Sequence, residues 1–305
     1  MQIVKLKPFF SEKIWGCSKL KDFGFEIPEN KKIGEAWVIS AHNNGMSYLT
    51  DGLFKDQALK TVFENNRNLF GNYQGEYPLL AKIITADDYL SVQVHPDDQY
   101  AMAKHKQLGK PESWYILDCP KDAKIIYGHT AQSKAELESM IENGKWQELL
   151  KEESIKPGDF LFVDTGKIHA ITPGVTVYEL QRSSDITYRL YDYDRLDDQS
   201  QPRRLDLQDS INCTIVPDSK SLIIQNAEKK IFSSSVFSIY ILNADQESEF
   251  ILDEEASWLQ FTVISGTGTI NDQHFKAGES AISLGKLEPI KVTGNLQVII
   301  SWIKK

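Results

Sequence analysis

Two histidines stand in surroundings that could do chemistry. Residues Leu90–His95 alternate, with Leu90, Val92 and Val94 on one side and Ser91, Gln93 and His95 on the other. A period of two is that of a strand with one apolar face. The Gln93 amide and the His95 imidazole therefore share a face and can point at one ion. The second histidine closes the run Gly158-Asp-Phe-Leu-Phe-Val-Asp164-Thr-Gly166-Lys-Ile-His169. There an apolar strand ends, a glycine turn comes next, and the histidine opens another strand. Imidazole is the commonest side-chain ligand for a metal and a frequent proton carrier. His42, His105, His129 and His274 lie in no such pattern and read as hydrogen-bonded core or surface residues. Cys17, Cys119 and Cys213 are odd in number, far apart and free of any Cys-x-x-Cys. They offer neither a thiolate metal site nor a disulfide framework, and read as small buried apolar residues of an intracellular protein.

The elements that must position these residues are mostly strands. The chain has 305 residues, which suggests two domains. It is 41% hydrophobic and 25% charged, as ordinary globular chains are. No apolar run approaches the about 20 residues needed to span a bilayer, and Met1–Phe10 has no apolar signal-peptide core. We expect a cytoplasmic protein without a membrane partner. The net charge of −9 (34 basic against 43 acidic residues) lacks the basic footprint of a nucleic-acid binder. An anionic small substrate remains open through a local basic cluster.

Helices are expected over 56–70, from Asp97 or Asp98 to about Gln107, and after Ser133-Lys-Ala-Glu136, whose spacing is that of a capping box. Strands are expected at Ala36–Ser40, Leu79–Thr85, Trp114–Leu117, Lys124–Tyr127, Phe160–Val163, Val175–Leu180 and Thr187–Tyr191. Residues 197–222 are polar, contain Pro202 and Pro217, and read as a linker. Short strands and glycine turns return over 223–305, so the chain is β-rich with its helices in the first block. A weak repeat links the blocks: Lys-Pro-Gly158-Asp and Lys-Ala-Gly278-Glu each precede an apolar strand.

The run from Gly158 to His169 resembles the second signature of the cupin superfamily, with Asp164 where proline is common. Gln93-Val-His95 stands where the first cupin signature has His-x-His, and Glu112 comes 17 residues later where that signature has an acid. Two imidazoles, a carboxylate and an amide oxygen would suit zinc, manganese, iron or nickel. Three firm protein ligands would leave room for water or substrate. The resemblance implies a mainly β fold of two cupin-like barrels or jelly-rolls, with short helical segments inserted in the first. We expect a catalytic domain at 1–220 and a second barrel at 221–305. Pro289 occupies the place of His169 in the second block, so that barrel is expected to be metal-free.

Longer matches are more specific. Trp15-Gly16, Ile33–Ser40, Pro78–Lys82, Leu90–Asp98, Gly109–Tyr115, Ile168–Ala170 and Glu179–Arg195 resemble, in order, the type I mannose-6-phosphate isomerase family in its short bacterial form. The resemblance implies an aldose–ketose isomerase interconverting mannose 6-phosphate and fructose 6-phosphate through a cis-enediol. It implies one zinc ion per chain on His95, Glu112 and His169, with Gln93 a fourth ligand or a neighbour of the ligands. It further implies Arg189, Lys110 and Glu179 as catalytic groups, and Lys82, Lys110 and Arg189 as substrate-binding groups. The partner is then a phosphosugar, and the protein a monomer or homodimer. Glu179, a lysine and a zinc-bound hydroxide all remain open as the base. A non-catalytic phosphosugar sensor and a cupin oxygenase compete with this reading. A sensor would not need metal and proton-transfer groups together, and an oxygenase usually carries a full His-x-His where Gln93 stands.

Overall fold

The repeated turn forms twice, with the same hydrogen bonds. In the computed structural model, which describes residues 1–197 and 199–305, Gly158 and Gly278 take φ of 93° and 86°. This left-handed region favours glycine. The acidic residue after each glycine folds back: Asp159 Oδ2 accepts from Lys156 N and Glu279 Oε2 from Lys276 N, both at 2.9 Å. The glycine N–H then bonds a neighbouring strand, at Ile116 O in the first case and Val263 O in the second. The strands Phe160–Val163 and Ser280–Leu284 come next. Each block thus builds one sheet corner from the same four-residue device.

With 41% strand and 14% helix the protein is mainly β, and the chain divides into two compact units. One comprises Lys13–Cys17 and Ile84–Asn226 and carries His95 and His169. Its first sheet runs Leu150–Ser154, Lys124–His129, His169–Ala170, Val92–Val94, Tyr188–Tyr191. Its second set runs Ile223–Ile224, Phe160–Val163, Glu112–Asp118, Thr176–Arg182. Trp114, Ile116, Tyr127, Leu161 and Val177 are among the buried side chains of its main core.

The other unit comprises Met1–Glu12, Ser18–Ile83 and Ala227–Lys305. Its eight-stranded sheet includes Gln2–Lys7 between Ser280–Leu284 and Tyr48–Leu49. The register of the first pair runs from Gln2 opposite Leu284 to Leu6 opposite Ser280. This division differs from the expected one at 220/221. The amino-terminal strand completes a sheet built mostly from the last eighty residues, so long-range pairing, not order along the chain, decides membership. The helix Leu59–Asn65 falls within the expected 56–70 and, like the other helices among the described residues, in the first block of the chain, but it packs in this unit.

The expected linker is also corrected. Residues 207–213 form a helix whose Ile211 is buried in a core cluster with Ile168 and Leu190. Lys134 Nζ reaches the carbonyls of Ile211 and Thr214 at the helix end, where a cation meets the negative end of the helix dipole. Polar composition reflects the outer face of a packed segment. The expected capping box forms in part. Ser133 Oγ accepts from Glu136 N at 3.2 Å, but Glu136 turns to Gln132 N at 2.8 Å. The cysteines are thiols and half-buried, more exposed than expected. Among the described residues no helix is long and apolar enough to cross a membrane.

Trp258 anchors the unit that carries both termini. Its Nε1 donates to Tyr77 Oη at 3.1 Å, and the rings of Phe63, Phe70 and Tyr73 stand 5.5–5.7 Å away, centroid to centroid. Trp258→Ala should lower unfolding free energy by about 3–5 kcal/mol. Urea denaturation followed by circular dichroism checks this; a loss below about 1 kcal/mol would contradict the anchoring role.

Candidate metal centre

Cross-strand register puts the polar residues of the first sheet on one face. Gln93 lies opposite His169 on one side and Arg189 on the other, and His169 lies opposite Tyr127. Directly opposed residues project to the same side of a sheet. His95 is two residues beyond Gln93 and so keeps its side. Glu112 opens its strand opposite Val163 and Gln181. His95, Glu112 and His169 are completely buried, and one donor atom from each lies within 4.8 Å of the others.

The imidazoles are held at their far nitrogens. His95 Nδ1 lies 2.9 Å from Ile186 O, and His169 Nδ1 2.8 Å from Lys167 O. A carbonyl can only accept, so each Nδ1 carries the hydrogen and each Nε2 is left with its lone pair. Both lone pairs face Glu112. Oε2 is 3.2 Å from His95 Nε2, and Oε1 is 3.4 Å from His169 Nε2. Lys110 is itself buried, with Nζ 2.9 Å from Glu112 Oε2 and donating to His95 Nε2 at 3.2 Å. Gln93 Nε2 donates to His169 Nε2 at 3.3 Å. Fixing the outer nitrogen of a ligand histidine in this way sets its tautomer and ring orientation.

The electrostatics favour the metal-binding protonation states. Burial lowers the His95 pKa to about 4, with the Lys110 ammonium pushing the same way. Burial also lowers His169. Burial alone would raise the Glu112 carboxyl, but Lys110 and His95 outweigh it and hold it well below the usual carboxylate range. At neutral pH the cluster is two neutral imidazoles and one carboxylate, the forms a metal requires. Beyond its ion pair with Lys110, neither Glu112 oxygen has a hydrogen-bond partner of good geometry among the described residues. A buried anion in that state calls for a further cation. The donor set therefore fits a divalent ion of the zinc type, bound by two nitrogens and a carboxylate.

The other expected residues sit close by in the same unit or outside it. Glu179 is buried and accepts from Trp114 Nε1 at 3.0 Å, and the Trp114 ring meets His169 edge-on at 5.4 Å. It reaches the cluster through that ring. Arg189 donates from Nη1 to Arg204 O at 2.8 Å. Its Nε is buried with no hydrogen-bond partner among the described residues. Lys82 belongs to the other unit, where its ammonium lies 5.1 Å from the Trp37 ring and Trp37 Nε1 donates to Glu35 at 2.7 Å. His42, His105 and His129 are hydrogen-bonded to Asn44 N, Tyr188 Oη and Ile215 O, as expected of histidines outside the site.

Sequence reasoning missed Ile186 and Lys167, whose contribution is a backbone carbonyl. A carbonyl has no side-chain signature, so only the fold reveals it. The turn before His169 forms as expected. Gly166 has φ of 79°, and its N–H donates to His95 O at 2.8 Å, tying the two histidine segments together. Asp164 is exposed, and its Oδ1 accepts from Thr165 N at 2.8 Å. Asp164→Pro should keep metal content and thermal stability close to wild type, measured by atomic absorption and calorimetry. Large metal loss would show that this aspartate does more than shape the turn.

Comparisons with known proteins agree on one family. The model described as "Phosphomannose isomerase type I, catalytic domain" matches residues 3–118. A mannose-6-phosphate isomerase of Bacillus subtilis is 41% identical over 97% of this chain and 98% of its own. That of Streptococcus mutans is 39% identical over 95% of each chain. A crystal structure of the mannose 6-phosphate isomerase from Bacillus subtilis superposes with a TM-score of 0.91 at 38% identity, covering 99% of both chains.

Proposed function

Given that the chain belongs to the type I mannose-6-phosphate isomerase family, we propose that it interconverts mannose 6-phosphate and fructose 6-phosphate, using zinc held by His95, Glu112 and His169. The observation that carries the reading is the buried cluster itself, a carboxylate between two imidazoles whose lone pairs are both turned inward. Zinc, when bound, supplies Lewis-acid polarisation of the sugar oxygens.

The reaction moves a carbonyl between C1 and C2. A proton leaves one carbon and returns to its neighbour through a cis-enediol, and negative charge develops on O1 or O2. Lys110 is the cationic donor nearest the ligands, so it is placed to hold a hydroxyl or return a proton. Arg189 shares the face of Gln93 and keeps one guanidinium N–H unspent, so it can bind phosphate or a developing enediolate oxygen. Glu179 accepts from Trp114 Nε1 and meets the cluster through that ring, so acting as the base would require a proton path past Trp114. As placed, Gln93 turns its amide nitrogen towards His169; acting as an oxygen ligand would require the amide to reverse. We assign the protein to the cytoplasm, in keeping with its cysteine thiols.

A coupled assay of mannose 6-phosphate conversion, before and after chelation and with zinc restored, tests the reading. Turnover should vanish with the chelator and return with zinc. A folded, zinc-loaded protein without turnover would contradict the isomerase assignment. His95→Ala and His169→Ala should each lose stoichiometric zinc together with activity, and retained zinc in either would remove that ligand.

Arg189→Ala should fold and bind zinc normally but lose about 100-fold or more in kcat, the loss of a group that stabilises developing charge. A kcat near wild type would make Arg189 structural.

A further inference from the structure

We propose that the buried Lys167–Asp218 ion pair is a positioning device that holds His169 in the tautomer and orientation needed to bind metal. The inference rests on the metal reading of His169 given above. The ammonium of Lys167 is 1% exposed and donates to Asp218 Oδ1 at 3.0 Å and to Ser219 O at 2.8 Å. It also lies 4.6 Å from the centroid of Tyr127, the residue opposite His169 in the sheet. The carbonyl of the same Lys167 receives the His169 Nδ1–H. One residue therefore anchors its side chain in a fixed acidic seat and presents its backbone to the ligand.

The neighbouring peptide is secured as well. Gly128 N donates to Ile168 O at 2.7 Å. Gly128 has φ of 109°, and a Cβ there would lie 2.2 Å from Asp218 Oδ2. The absence of a side chain at residue 128 makes the seat of Asp218 possible. Asp218 thus touches two of the segments that define the carbonyl beneath His169.

Stability alone is a poor reason for such a pair. A buried ion pair is often no better than apolar side chains of similar volume, although removing one partner strands the other. What the pair supplies, and an apolar pair would not, is direction: a lysine side chain pulled towards one carboxylate. Outer partners of ligand histidines typically change metal affinity by about 10- to 100-fold when removed.

The test uses the full chain with three measurements: zinc affinity by competition with a chromophoric chelator, the His169 tautomer in chelated protein by long-range proton–nitrogen NMR, and thermal unfolding. Asp218→Asn should weaken zinc binding by about 10- to 100-fold and reduce the Nδ1–H population of His169 while leaving that of His95 unchanged. The double variant Lys167→Met with Asp218→Leu strands no charge, should remain folded, and should show the same two losses. Lys167→Arg, which keeps the ion pair, should restore most of the affinity. If the folded double variant keeps wild-type zinc affinity and the Nδ1–H tautomer, the pair is structural only and the proposal fails. Lys151, 3.5 Å from Asp218 Oδ2, is the control. Lys151→Ala should change neither readout, and an equal loss there would point to diffuse charge in place of the clamp. If His169→Ala retained zinc, the metal reading would fall, yet the tautomer shift in metal-free protein would still decide the clamp.

Discussion

A carboxylate with no access to water is the constraint on which the rest of the histidine-bearing unit depends. Glu112 is fully buried, and the Lys110 ammonium beside it is the main cause that holds its carboxyl ionised. Such an anion is costly unless positive charge or aimed donors surround it. The Lys110 ammonium meets that cost at one oxygen, while the Nε2 lone pairs of His95 and His169 face the anion without donating to it and leave room for a further cation. Every one of those groups is in turn anchored, the imidazoles by carbonyls and the strand by ladders on both sides. Loosening any of these contacts would expose the anion or leave it unpaired.

The same constraint creates the chemistry. The buried carboxylate and the two inward lone pairs beside it are what attract a cation. With both Nε2 lone pairs turned inward beside the carboxylate, the cluster has a donor set that could hold a metal ion. Lys110 stands against the cluster and Arg189 opposite Gln93, two cations on a protein whose net charge is −9. Local cations on an acidic protein would suit a small anionic substrate better than a polyanion.

The two units share a turn but differ in the segment beyond it. After Gly158 the chain reaches His169; after Gly278 it reaches Pro289, which offers no ligand atom. The unit that carries the termini keeps the sheet corner and its backbone hydrogen bonds and devotes its interior to packing, with Trp258, Phe261 and Trp302 among its buried aromatic side chains. A common local device therefore precedes a buried His/Glu/His cluster in one context and a hydrophobic core in the other.

Local chemistry was legible in the sequence. The alternation around Gln93 and His95, the glycine turn before His169, the Ser133 cap and the repeated Lys-x-Gly-acid corner depend on neighbours within a few residues, and all of them form. So does the mainly β fold, because strand periodicity is local too. What only the tertiary structure decided depends on contacts between distant residues. The strand Gln2–Lys7 joins Ser280–Leu284, and residues 207–213 fold as a packed helix where composition suggested a linker. Lys110 bridges Glu112 and His95, whereas Glu179 meets the cluster through Trp114. The histidine tautomers are set by the carbonyls of Lys167 and Ile186. Every residue carries a carbonyl, so no residue type announces which one will face an imidazole; only the path of the backbone selects it.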